Sequence, residues 1–210
     1  MKIAVIGATG MAGSRITAEA VRRGHAVTAV SRSAPDADAV PTGAHWVAGD
    51  VSRAEELEPI LAAVDAAVLA VRPAPGAEAT LAPLTARLLD VAVGVPVLVI
   101  GGAGPLRSPD PAYDRVVDDP AYVPERYRAI ARASTEQLDA CVTRSGTDWT
   151  YLSPPALLEP GRRTGTYRRG GDKLLVASDG RSRISAEDLA VAVLDELESR
   201  SGVRHFTVAY

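Results

Sequence analysis

The sequence predicts an α/β fold built on a doubly wound parallel sheet, and three observations carry that expectation. Apolar runs of strand length alternate with longer segments of helical period along most of the chain. Most of these runs are almost continuously apolar, which suits strands whose sheet is covered by helices on both faces. The first run passes directly into a glycine-rich turn, GATGMAG at residues 7–13, and that turn opens a helical pattern.

Taken in order, the strand candidates are KIAVIG (2–7), AVTAVS (26–31), AHWVAG (44–49), AAVLAV (66–71), VPVLVIG (95–101) and DWTYLS (148–153). Helical patterns separate most of them: AGSRITAEAVRRG (12–24), RAEELEPILAAV (53–64) and ATLAPLTARLLDVAVG (79–94). After residue 104 the rhythm loosens, because PLRSPDPAYDRVVDDPAYVP (105–124) is rich in proline and aspartate and favours turns. A helix follows from about Glu125 to Ser145. Beyond the sixth strand, residues 154–185 read as turns and short extended pieces. AEDLAVAVLDELESR (186–200) is then a helix and RHFTVAY (204–210) a last strand. The economical reading is one domain over residues 1–210, its irregular C-terminal third forming a small substrate-side cap on the same sheet.

Composition narrows the function. The net charge of -3 gives no reason to expect a polyanionic partner, so nucleic acid is not expected. One cysteine, Cys141, excludes an internal disulfide, and no stretch approaches the apolar length of a membrane span. The first residues begin a strand, with no charged leader before it. These features predict a protein of the reducing cytoplasm.

The glycine turn carries the first chemistry. A strand, a glycine-rich loop and a helix in succession let a pyrophosphate approach backbone N–H groups at the positive end of the helix dipole. Gly7, Thr9, Gly10, Met11, Ala12 and Gly13 are the expected contacts. A tight strand-to-helix turn with close packing is the competing reading of the glycines alone.

The spacing Gly-x-x-Gly-x-x-Gly resembles the fingerprint of the extended and atypical short-chain dehydrogenase/reductase superfamily, and the resemblance runs on through nearly the whole chain. Asp50-Val51 is similar to the superfamily's adenine-contacting pair. Ala70, Val71 and Arg72 end the fourth strand where the nicotinamide ribose lies in that superfamily. With IGGAGPL (100–106), DWTYLSPPALLEPGRRTGTYRRG (148–170) and GRSRISAEDLAVAVLDELE (180–198), the chain resembles the small NAD(P)H-binding proteins called NADH-flavin reductases. These are related to the flavin reductase/biliverdin-IXβ reductase and NmrA-like groups. The resemblance implies a Rossmann fold and places Gly101, Gly102 and Ala103 against the nicotinamide. Pro154 is a further candidate contact at the carboxyl edge of the sheet, with a simple chain break after the strand as the equal alternative.

Cofactor choice is read at the end of the second strand. A site for NAD offers a carboxylate there, whereas this chain offers Ser31-Arg32-Ser33. Arginine favours a ribose 2′-phosphate, so NADP is the expected cofactor, with NADPH preferred over NADH. A plain surface arginine is the alternative.

The superfamily's usual acid is a tyrosine with a lysine four residues later. This chain has two lysines, Lys2 and Lys173, and neither stands four residues after a tyrosine. At that spacing Tyr113, Tyr122 and Tyr127 are followed by Val117, Arg126 and Ala131, and Pro105 stands where related sequences carry a serine. No catalytic residue is assigned. Hydride transfer to a flat conjugated acceptor, a flavin or quinone, tolerates that absence because the acceptor spreads the arriving charge. A non-catalytic NADPH sensor of NmrA-like type is the alternative, and NADPH turnover separates the two.

Other residues have plainer readings. Arg162, Arg163, Arg168 and Arg169 read as a solvated hairpin and Cys141 as a buried structural thiol. Trp46 and Trp149 read as core, and His25, His45 and His205 are too scattered to hold a metal.

Overall fold

A computed structural model describes residues 1–34 and 41–210. Its sheet has eight strands: β1 (Lys2–Ile6), β2 (Ala26–Ser31), β3 (Ala44–Ala48), β4 (Ala66–Leu69), β5 (Val97–Ile100), β6 (Trp149–Ser153), β8 (Arg168–Gly170) and β10 (His205–Ala209). A separate parallel pair joins β7 (Leu157–Glu159) to β9 (Arg183–Ser185). The large sheet runs β3-β2-β1-β4-β5-β6-β10-β8, parallel throughout except where β8 pairs antiparallel with β10. This is the strand order of a Rossmann sheet. Every strand expected from the apolar runs is present within two residues of its expected ends.

Alternation along β1 shows how the two layers arise. Ile3 and Val5 enter the core under α1 (Met11–Arg22) and α5 (Ala186–Glu198), beside Ile16, Leu189 and Phe206. Ala4 and Ile6 face the opposite core with Leu69, Leu88, Val99 and Tyr151, under α3 (Leu81–Val91) and α4 (Arg128–Val142). Burial on both faces is what the unbroken apolar strands require. The Ser185 hydroxyl accepts from the Asp188 N–H at 3.0 Å and so caps α5.

One expected element differs in detail. Residues 53–64 do not form one regular helix: a 3-10 stretch, Val51–Leu57, leads into the single-turn α2 (Glu58–Leu61). Pro59 has no N–H to return to the preceding turn, and the Asp50 carboxylate fixes the start by accepting from the Ser52 N–H at 2.9 Å. The proline-rich segment after β5 is irregular as expected, and it builds a third small core from Leu106, Val116, Val117, Val123 and Leu174.

The four-arginine stretch is exposed as expected, but it is not a hairpin of free charges: β8 pairs with β10, and three of the arginines are bonded. Arg163 binds both oxygens of Glu19 at 2.9 and 3.0 Å. Arg168 donates to the carbonyls of Val176 and Tyr210. Arg169 pairs with Glu196 at 2.7 Å and stacks 3.8 Å from the Phe206 ring. Arg162 alone of the four makes no side-chain bond among the described residues. Carboxylates on α1 and α5 recruit the segment, and the sequence separation of those partners hid the pairing.

Candidate functional site

In a parallel sheet all carboxyl ends lie on one edge, and the strand order here reverses between β1 and β4, opening a crevice at that edge. The residues expected to bind the cofactor lie at the carboxyl ends of β1 to β6 or in the segments that directly follow them.

β1 ends at Ile6, and the chain turns at Gly7 with φ +90°, a conformation that side-chain-bearing residues rarely adopt. A Cβ on Gly7 would stand 2.5 Å from the Ala70 carbonyl oxygen and 3.2 Å from the Val71 side chain, so this glycine lets the ends of β1 and β4 touch. A Cβ on Gly13 would collide with the Gly7 carbonyl oxygen. Two of the three glycines therefore serve close backbone packing, Gly7 between strand ends and Gly13 between strand and helix. Gly10 differs: it is exposed, it is the N-cap of α1, and it supplies no side-chain cap. The first turn also contains no acidic residue. The N–H groups of Met11, Ala12 and Gly13 are thus open to an outside acceptor, beside exposed Thr9. This uncapped, acid-free turn at the crevice fits the pyrophosphate of a dinucleotide.

At the end of β2 the Ser31 hydroxyl is already engaged. It donates to the Ser33 carbonyl at 2.8 Å and accepts from the Trp46 indole N–H at 2.9 Å. Trp46 is half-buried on β3, not in the core, whereas Trp149 is buried as expected. Arg32 projects into solvent with no carboxylate within 4.0 Å among the described residues. The Asp50 carboxyl lies below the usual carboxylate range, chiefly through the Ser52 backbone N–H, with Arg32 and Arg53 adding to the effect. Val51 turns its side chain into the core beside Leu57.

The other strand ends complete the rim. Ala70 donates its N–H to the Ile6 carbonyl at 2.8 Å, and Arg72 is exposed. Gly101 has no room for a Cβ because the Tyr151 phenol occupies that space, and Gly102 and Gly104 lie against Ser134 and the Ala131 carbonyl of α4. Ala103 joins the small core of the following segment. Pro154 is buried directly after β6. Tyr151 is itself buried, with its hydroxyl 2.8 Å from the Ser134 carbonyl, and burial pushes its pKa up, so it is no exchangeable acid. Burial likewise pushes the Cys141 thiol up to about 12, consistent with a structural role.

One cluster at this edge escaped the sequence reading. Tyr127 immediately precedes α4 and is 47% exposed, with the Arg126 guanidinium 4.8 Å from its ring centroid. Arg126 and, more weakly, Arg72 hold its phenol below the ordinary tyrosine value, while Glu159 on β7 opposes them. Arg128, next in the chain, pairs with Glu125 at 2.8 Å while its Nε is buried with no partner. Screening tyrosines for a following lysine discarded Tyr127. The signal that could have kept it was its run of arginines at the start of a helix after β5.

Residues 7–200 match the NAD(P)H-binding family. The chain belongs to that family. Among its relatives, YwnB of Bacillus subtilis (strain 168) is 38% identical over 204 residues, which cover 94% of this chain and 92% of YwnB. A Burkholderia pseudomallei structure named "putative exported protein" superposes with a TM-score of 0.87 at 41% identity, each chain covered completely. A Streptococcus pneumoniae TIGR4 structure named "putative NADH-flavin reductase" gives 0.88 at 31% identity, covering 100% of this chain and 99% of that one.

Proposed function

We propose that this protein is an NADPH-dependent reductase that transfers hydride to a flat conjugated acceptor, a flavin or a quinone, without a tyrosine–lysine dyad. The observation that carries the reading is the first turn of α4, which reaches the cofactor edge with Tyr127 followed one turn later by buried Ala131 instead of a lysine. Lys2, at the amino end of β1, lies at the opposite edge of the sheet. A simple ketone needs a proton for its alkoxide, and this site offers no dyad to give it. A conjugated acceptor takes the hydride into its ring system and draws its proton from water. When bound, the nicotinamide supplies that hydride and becomes oxidised.

The chain's own residues bind and orient. The free N–H groups after Gly10 hold the pyrophosphate, Arg32 receives the ribose 2′-phosphate, and Ala70, Val71 and the backbone of Gly102 and Ala103 line the nicotinamide. The Trp46 indole, by occupying the Ser31 hydroxyl, fixes the turn from which Arg32 projects. The streptococcal relative's name supports a flavin as the acceptor. No described helix is long and apolar enough to cross a membrane, and our reading places the protein in the cytoplasm as one NAD(P)-binding unit. The test is NADPH oxidation against flavins, quinones and simple carbonyls, with NADH in parallel. Flavin or quinone turnover with inert carbonyls supports the reading, and NADPH binding without turnover on any acceptor overturns it in favour of a sensor.

A further inference from the structure

We propose that Tyr127, Arg126 and Arg72 form an acceptor subsite in which the Tyr127 ring stacks on a flat conjugated molecule and the two arginines receive a phosphate monoester on its tail. The inference deepens the reductase reading and rests on it for the chemistry, but it concerns residues outside the cofactor set apart from Arg72.

The geometry begins with α4. Gly104 lies against the Ala131 carbonyl and Gly102 against Ser134, so the first turns of α4 are packed directly onto the loop that ends β5. Tyr127, one turn before Ala131, is thereby held at the carboxyl edge of the sheet. Its N–H donates to the Pro124 carbonyl at 2.8 Å within the 3-10 turn Glu125–Tyr127. Arg126 covers part of one ring face at 4.8 Å, a cation–π contact that orients the ring while leaving the side chain 47% exposed. A large aromatic left so open beside a cofactor crevice is an unspent stacking surface.

Glu159 of β7 acts on the same phenol and opposes the arginines. Arg72, from the end of β4, acts on the same phenol, so its charge and that of Arg126 converge on the ring from two elements. Neither arginine has a carboxylate within 4.0 Å among the described residues. Arg128 adds a buried Nε that nothing binds. An aromatic floor rimmed by unpaired guanidiniums matches a conjugated ring carrying a dianionic phosphate, because guanidinium binds phosphate with paired donors.

The experiment compares flavin mononucleotide with riboflavin, which share the ring and differ by the phosphate. In steady-state NADPH oxidation the parent should show a KM for flavin mononucleotide about tenfold below that for riboflavin. The variant Arg126→Gln should raise the first KM several-fold towards the second, with kcat and the riboflavin KM within a few-fold. Tyr127→Phe should change neither flavin's KM, whereas Tyr127→Ala should raise both. Both side chains are at the surface, and thermal melts check that the variants fold. Equal KM values for the two flavins in the parent, unmoved by Arg126→Gln, would overturn the subsite while leaving the reductase intact. If no acceptor is turned over, the reductase reading fails, and flavin mononucleotide titrated by fluorescence into NADP-loaded protein still decides the subsite: binding weakened several-fold by Arg126→Gln supports it, and no binding to the parent, or binding that the variant leaves unmoved, overturns it.

Discussion

The strap of residues 161–170 and the carboxyl edge of the sheet are both rich in arginine, yet they spend their charge in opposite ways. On the strap Arg163 is gripped by Glu19, Arg169 by Glu196, and Tyr167 donates to Asp195 at 2.5 Å. Buried Asp188 accepts from the N–H groups of Thr164 and Gly165 at 2.8 and 2.7 Å. At the carboxyl edge Arg32, Arg72 and Arg126 have no carboxylate partner among the described residues, and the start of α1 is uncapped. The buried carboxylates Glu19, Asp188 and Glu196 must find partners inside the protein, so the strap is wired to α1 and α5. Groups left at an open crevice keep their bonding capacity for a ligand. The difference teaches that partnering, more than residue type, separates structural charge from binding charge.

The comparison can be broken from either side. The largest effect is expected at Gly13→Val, whose side chain would meet the Gly7 carbonyl: NADPH affinity should fall by more than about a hundredfold, read by titration calorimetry alongside a melt. Unchanged affinity in a folded variant would remove the glycine loop from the cofactor site.

On the strap side, Glu19→Gln leaves Arg23 and Arg163 facing a neutral amide at a position only 4% exposed. The expected cost is about 2 to 3 kcal/mol, discounted for the partial exposure of Arg163. That corresponds to a Tm lower by roughly 5 to 10 °C, with cofactor affinity unchanged. The acid behaviour follows from the same carboxylate. Hydrogen bonds from Arg22, Arg163 and Arg23 outweigh burial, the largest single influence, and hold Glu19 far below the usual glutamate range. Its stabilisation is therefore complete above the ordinary value of about 4.3 and is lost as pH falls below it. The Tm gap between parent and variant should narrow between pH 6 and pH 3, both values being about where the carboxylate is fully and only partly favoured. A constant gap would mean that packing, not charge, supplies the effect.

A smaller change tests the edge. Arg32→Ala should weaken NADPH binding by roughly tenfold while sparing NADH, measured as paired dissociation constants. Equal losses for both cofactors would exclude Arg32 from the 2′-phosphate. The smallest effect belongs to the phenols: Tyr113→Phe, Tyr122→Phe and Tyr127→Phe should each leave flavin reduction within a few-fold of the parent. Loss of a true general acid would cost roughly 10²–10⁴-fold, and such a loss in any one variant with normal NADPH binding would reveal an acid that the dyad-free reading lacks.

Much of this molecule was legible in its chain because the deciding physics is local. Apolar runs such as VPVLVIG need only neighbours a few residues away to specify a buried strand, and GATGMAG announces a turn through the conformational freedom of Gly7. Strand count, the coarse helices and the candidate dinucleotide turn follow from such patterns. The partner of an arginine does not. Arg163 finds Glu19 across 144 positions, and Trp46 finds Ser31 across the β2–β3 ladder. Which charges were bonded inward and which were left facing the crevice was settled by tertiary structure alone, since partners far apart in sequence become neighbours only when the sheet has set its strand order.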